Sequence, residues 1–484
     1  MSACHAKTSA PSSPAAMQEL RDFLEERRES TAPVADLEEF EKQMHRMFAA
    51  AEAEALGEEL ARFDLDVSVV EIGGVAHRQV LRCEETYFAS AGPVRVTRSL
   101  YSTRQPGDRA VCPLELRAGL VDGRWTPLAA QQAAFAVAHL TPQEAANLFE
   151  KLGNMAPSKS SLDRLPKALN EVWERNRNQF EKEIRSAETV ATEAVTVGVS
   201  LDGVLVPMKD GDRTRKREQA TADGKKTKGP AGYQEASCGT LAFYDAAGDL
   251  LSTIRMGRMP EPKKATLKQM LADELRAVME QRPDLQVVKL ADGAKDNWPR
   301  EGQEETNWRY LRSNELSKGI EVLDFYHAAQ HLSAALDAAY GEGNPKAKSQ
   351  FEKLRHILRH EDQGVAKVIR ALIHLRDAHP RSKKITKELK YFRNNRRRMR
   401  YATIAKRNLP IGSGIVEAAC KTLSSRHKRS GMRWRTAGGQ ALFTLRSLVQ
   451  SDRFDAGWKL LATTYRQDVD LPNNVVALNT RWHP

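Results

Sequence analysis

The run Ala194-Val-Thr-Val-Gly-Val-Ser-Leu201, closed by Asp202-Gly203, constrains the fold more than any other stretch. An apolar run of this length reads as a strand buried in a sheet, and the Asp-Gly pair reads as its end. Ala236–Tyr244 and Leu250–Met256 supply the next two strands, joined at Ala247-Gly248-Asp249, so three antiparallel strands open this region. A helix from about Lys264 to Gln281 follows, then a strand Leu285–Leu290 ending in Ala291-Asp292-Gly293. A strand Ile320–Phe325 then runs into a helix carrying His327 and His331. Strands and helices interleaved in this way predict an α/β layer fold.

The flanking sequence divides by texture. Residues 1–16, rich in Ala, Ser and Pro, read as a disordered tail without the apolar stretch of a signal peptide, which predicts a cytoplasmic protein. Over 17–65 the spacing of Leu20, Phe23, Leu24, Leu37, Phe40, Met44 and Met47 predicts a helical N-terminal segment. Residues 66–126 form a small β-rich unit, with stretches such as Val80–Tyr87 and Val94–Tyr101 broken at Gly92-Pro93 and Pro106-Gly107. Residues 127–190 are helical: Thr141-Pro-Gln-Glu144 is a capping box opening a helix that Gly153 ends, and a further helix starts near Ser158. That order fits a helix-turn-helix offering Lys159 and Arg164 to a DNA groove, followed by a charged linker helix; it fits a plain helical bundle equally well. The α/β core occupies 191–333 and resumes over 407–465 after an all-α insertion at 334–406; 466–484 reads as a tail. In the final part, the turn Pro410–Gly414 leads into a long helical run from Ile415 with Glu417 in its first turn.

Charge points to the partner. Lys and Arg number 75 against 63 acidic residues, a net charge of +12. The excess gathers between Lys209 and Lys228 and between Arg381 and Arg435, a pattern that favours a polyanion, although a solvated charged face also produces it. Arg396, Arg397, Arg398, Arg426, Lys428, Arg429 and Arg433 are candidates for phosphate contact. So are Arg215, Lys216 and Arg217, in a charged loop between the first two core strands that either clamps DNA or stays disordered. Trp434 either stacks on a displaced base or anchors its helix in the core. No window approaches the roughly 20 apolar residues of a membrane helix. Cys4, Cys83, Cys112, Cys238 and Cys420 are scattered singly, with no Cys-x-x-Cys pair to hold zinc.

Two-metal phosphodiester chemistry requires several carboxylates at one point, since hard cations about 3.5–4 Å apart share oxygen ligands. Asp202 and Asp292 at strand ends and Glu417 at a helix start are three acids in such positions. Taken singly, each Asp-Gly is also a turn signal and Glu417 also favours a helix N-terminus. Asp296 is a rival ligand further from the strand end, and His327 and His331, four apart, share a helix face.

Ser200-Leu-Asp-Gly203, Leu290-Ala-Asp-Gly-Ala294, Asp324-Phe-Tyr-His327 and Ile411-Gly-Ser-Gly-Ile-Val-Glu417, with Gly431-Met-Arg-Trp434 beyond, resemble the motif series of bacterial insertion-sequence transposases of the ISKra type. These are similar in turn to mutator-like elements, and the resemblance spans roughly 67–449. It implies a DDE-class catalytic core of RNase H-like fold that cuts transposon ends and joins them to target DNA. It implies two Mg²⁺ or Mn²⁺ ions held by Asp202, Asp292 and Glu417, with Asp324 and His327 near the site. A homo-oligomer in the synaptic complex, associated with a bacterial nucleoid, is the corresponding expectation. The β unit in such families can carry a zinc ribbon, but Cys83 and Cys112 stand alone. The competing readings are a non-catalytic DNA-binding protein derived from a transposase and an RNase H-like nuclease without transposition.

Overall fold

The computed structural model describes residues 15–153, 155–209, 212–224, 232–294, 296–298, 306–308 and 319–472. The tail expected at 1–16 lies outside them up to residue 14. The fold is mixed α/β, with one sheet of three strands and one of five. Contacts divide the chain into two compact units, Met1–Asn176 with Asp455–Pro484, and Arg177–Phe454.

In the first unit, α1 (Ala15–Glu29) and α2 (Leu37–Ala61) are joined by a turn in which Asp36 caps α2 by accepting from the Glu39 amide. Strands β1 (Val69–Ile72), β2 (Val75–Ala89) and β3 (Gly92–Ser102) form an antiparallel meander. The β1–β2 hairpin closes on Gly73-Gly74 with φ of 57° and 77°, the positive values a two-residue turn demands. Gly92-Pro93 starts β3 instead of breaking the sheet, because Gly92 pairs with Ala89. One sheet face buries Tyr87, Ala89, Val94 and Val96 with Leu60 of α2 and Leu114 of the short α3 (Pro113–Ala118).

Helices α4 (Pro127–His139) and α5 (Pro142–Leu152) follow, and the Thr141–Glu144 capping box and the left-handed Gly153 stop stand where the sequence places them. The separate recognition and linker helices do not: α6 runs unbroken from Lys159 to Ala187 through Pro166. Its buried stripe of Leu162, Leu165, Leu169 and Trp173 outweighs the hydrogen bond that proline removes. Residues 466–472 are not a free tail, since Asp470 exchanges backbone hydrogen bonds with Glu71.

The second unit is built on a sheet of order β6-β5-β4-β7-β8, comprising β4 (Thr196–Pro207), β5 (Tyr233–Tyr244), β6 (Leu250–Arg258), β7 (Gln286–Ala291) and β8 (Ile320–Leu323). The first three are antiparallel, and β7 and β8 add in parallel beside β4. β4 does not end at Asp202-Gly203. It continues to Pro207 because β5 pairs with it from Thr196↔Tyr244 to Pro207↔Tyr233, so Asp202 lies within the strand. The expected charged loop after β4 begins with a helix, α7 (Asp212–Ala222); the segment 225–231 lies outside the described residues.

After α8 (Ala265–Gln281) and β8, the chain is helical through α9 (Phe325–Tyr340), α10 (Pro345–His360), α11 (Gly364–Ala378), α12 (Lys383–Asn395) and α13 (Tyr401–Ala405). This block covers the expected all-α insertion at 334–406. It shares one continuous core with the sheet, in which Val199, Leu201, Leu290 and Val322 meet Leu332, Leu372, Phe392 and Tyr401. The predicted long helix from Ile415 is two helices, α14 (Gly414–Ser424) and α15 (Thr436–Gln450), and the chain returns to the first unit through α16 (Phe454–Tyr465). No helix among the described residues is long and apolar enough to cross a membrane.

Candidate metal centre

Strand register gathers the acids. The β4–β7 ladder stops at Ser200↔Leu290 and the β7–β8 ladder at Ala291↔Leu323. Asp202 and Asp292 each lie two residues past the first of these pairs, and Asp292 and Asp324 each lie one past the second. Three carboxylates therefore stand level on neighbouring parallel strands, spaced about 4.8 Å apart, at the carboxyl edge where ligands of such sheets bind. What Asp202 marks is the end of the parallel ladder, not of its own strand. The fourth acid arrives on α14, which packs across β4 and β5 and carries Glu417 in its first turn.

The four carboxylates differ in what holds them. Asp324 is fully buried and caps α9: Oδ1 accepts from the His327 amide at 2.6 Å, and Oδ2 accepts from the Ser413 hydroxyl at 2.8 Å and from the Ser413 amide. Burial pushes its carboxyl up, but the hydrogen bonds from His327 and Ser413 outweigh burial and hold it below the ordinary carboxylate value. Asp202 shifts the other way, raised first by burial and then by the neighbouring charges of Asp292 and Glu417 against a hydrogen bond from the Gly203 amide. In Asp292, Oδ1 accepts from the Ala294 amide at 3.0 Å and from Asn297 Nδ2 at 2.7 Å, an Asx-type turn that fixes the side chain. Glu417 is the most open, its side chain 45% exposed. Its Oε1 accepts from Ser413 Oγ at 3.2 Å.

His327 sits among them, with Nδ1 3.3 Å from Asp324 Oδ1 and 3.5 Å from Glu417 Oε1. The adjacent Asp324 carboxylate, opposed by burial and aided by Asp292 and Glu417, raises this imidazole to about 9. It is therefore a cation at neutral pH, placed where several carboxylates need one. Ligand atoms of Asp324, His327 and Glu417 all lie within 4.8 Å of one another, close enough for one metal ion. Both Asp324 oxygens accept hydrogen bonds, and so do both Asp202 oxygens, Oδ1 from the Gly203 amide at 2.7 Å and Oδ2 from Cys420 Sγ at 3.9 Å. An opening of about 400 Å³ is lined by Asp202, His327, Gln330, Glu417, Lys421 and Lys428.

Other sequence candidates separate. His331 does not join His327: its Nδ1 lies 2.6 Å from Glu388 Oε2 and its ring stacks on Tyr391. Asp296 is exposed and the Asx turn points Asp292, not Asp296, into the group. Among the basic residues, Arg396, Arg397, Lys428, Arg433, Arg217, Lys159 and Arg164 are exposed. Arg429 is half-buried, and the side chains of Arg215 and Lys216 lie outside the described residues. Two expected phosphate contacts are overturned. Arg426 is only 1% exposed, drawn into the interior where α14 turns toward α15. Arg398 spends its charge on Glu321, 2.8 Å away, and its guanidinium covers Trp298 at 4.5 Å. Trp434 is an anchor: its amide donates to Pro207 O at 3.0 Å, its Nε1 to His427 O at 3.1 Å, and its ring packs on the core beneath α14.

Ser413 was not foreseen. It touches both Asp324 and Glu417, and its signal was the Gly412-Ser413-Gly414 run, where a Cβ at Gly412 would fall 2.9 Å from the Tyr326 ring. No known protein family matches the chain, and no curated protein matches its sequence.

Proposed function

We propose that this chain is a DDE-class DNA transposase of the ISKra type, with an RNase H-like core that cleaves transposon ends and transfers them to target DNA. The observation that carries the reading is the convergence of Asp202, Asp292 and Glu417, from two strands and a helix, on the carboxyl edge of the parallel ladder. Three antiparallel strands followed by two parallel ones support the RNase H-like assignment. Asp202, Asp292 and Glu417 would hold two Mg²⁺ or Mn²⁺ ions. Bound there, the ions would supply an activated water and stabilise charge at the leaving 3′ oxygen. The chain's own residues prepare the ground: Ser413 aims Glu417, Asp324 fixes Ser413 and His327, and Lys421 and Lys428 draw phosphate to the mouth. The protein acts on double-stranded DNA as a homo-oligomer.

The test is a supercoiled plasmid carrying the terminal repeats that flank the gene. Wild type nicks and joins it in Mg²⁺, whereas Asp202→Asn abolishes strand transfer and still binds the ends. Joining by that variant sinks the reading.

A further inference from the structure

Tyr391 of α12 packs against the acid group. The Tyr391 ring stacks on His331, with centroids 3.6 Å apart and planes 22° from parallel. His331 lies one turn beyond His327 on α9 and is held to α12 by Glu388, which is 3% exposed. The same phenol ring presses against the turn that fixes Asp292: a Cβ at Gly293 would fall 2.2 Å from Tyr391 Cε2 and 2.6 Å from its hydroxyl. Position 293 therefore accepts only glycine while the ring is in place. Burial, followed by the charges of Asp292, Asp324 and Glu388, pushes ionisation of the phenol well up, so it stays neutral beside the carboxylates. Two parts of the candidate site, the turn after β7 and the middle of α9, thus both lean on one ring.

Building on the metal-centre reading above, we propose that Tyr391 is a positioning residue. Its ring sets the gap between the Asp292 turn and the helix bearing His327, and so sets the affinity of the acid group for a divalent cation. Loss of a side chain that orients a ligand weakens metal binding by roughly 10–100-fold.

Mn²⁺ binding to the full chain, followed by the loss of the free-ion electron paramagnetic resonance signal, tests this without DNA. Tyr391→Phe keeps the ring and is expected to bind within about threefold of wild type, while Tyr391→Leu weakens binding by roughly tenfold or more. Gly293→Ala, which forces ring and turn apart, weakens it similarly, and adding Tyr391→Leu to Gly293→Ala is expected to cost nothing further. The Phe rescue and the non-additive pair are results that a general loss of stability does not produce. Wild-type affinity in Tyr391→Leu, with binding lost in Asp292→Asn, overturns the inference and leaves the metal centre standing. Absence of Mn²⁺ binding by wild type overturns both. If Tyr391→Leu does not fold, Gly293→Ala decides alone: wild-type affinity there overturns the role of the ring.

Discussion

His327 and His427 are the same side chain in two regions of the second unit, and they titrate far apart. His327 stands at the mouth of the acid group, its side chain 32% exposed, and neighbouring carboxylates raise it to about 9. His427 lies behind α14, fully buried against Phe443 and Trp434, with Nε2 donating to Gly439 O at 2.9 Å; burial lowers it to about 4. In the sequence, His327 stands in the Asp324-Phe-Tyr-His327 motif, whereas His427 is flanked by Arg426, Lys428 and Arg429. Aromatic rings pack against His427, and the charges of Arg446 and Arg426 add to burial in lowering it. Which groups surround an imidazole in space decides whether it answers to charge or to packing.

The strongest way to break the comparison is to remove what makes the mouth anionic and ordered. Asp324→Ala leaves the His327 and Ser413 amides without an acceptor and is expected to cost roughly 3–5 kcal/mol in urea unfolding. Asp202→Asn, which relieves a raised carboxyl, should cost little by the same measurement. Equal losses in the two would show that Asp324 has no special structural part.

The second test follows unfolding free energy against pH. His427 has a folded value below that of the unfolded chain, so its contribution is intact above about pH 6.5 and is lost as pH falls toward 4, by up to roughly 3 kcal/mol. His327 has a raised folded value, so its contribution is present below about pH 6.5 and is lost as pH rises through about 9. Exposure reduces that loss to the order of 1 kcal/mol. His427→Phe should flatten only the acid limb and His327→Gln only the alkaline one; an unchanged acid limb in His427→Phe refutes the assignment.

The smallest effect separates the exposed from the buried members of the last basic run. Lys428→Ala should lower the slope of log affinity for DNA against log salt by about 1, with uniform weakening across sequences. Arg426→Ala should instead appear as lost stability. A full salt-slope loss in Arg426→Ala and none in Lys428→Ala would reverse the assignment of the run.

Much of this was legible in the sequence, and the gaps have physical causes. The strands and helices of the second unit declare themselves through apolar runs and periodicity, and the capping box at Thr141 needs only local hydrogen bonds. The acids could be nominated because Asp202, Asp292 and Glu417 punctuate those elements. Their relation could not be, because it depends on which strand stops where: Asp202-Gly203 has the letters of a turn yet lies in a strand, and only pairing with β5 across to Tyr233 makes it so. Ser413 and Tyr391 were invisible for the same reason, each defined by partners far away in the chain. The basic runs misled because a positive charge in sequence does not say whether Glu321 or solvent receives it.

The core shared by sheet and helical block also governs when the site can exist during synthesis. Strand β4 leaves the ribosome long before α14, and the residues in between contribute the helices against which the sheet packs. A nascent chain carrying Asp202 and Asp292 has neither Glu417 nor the Ser413 contact that steadies Asp324. The acid group is thus assembled late, by contacts across more than half the second unit's length, and an interrupted translation product lacks the complete group.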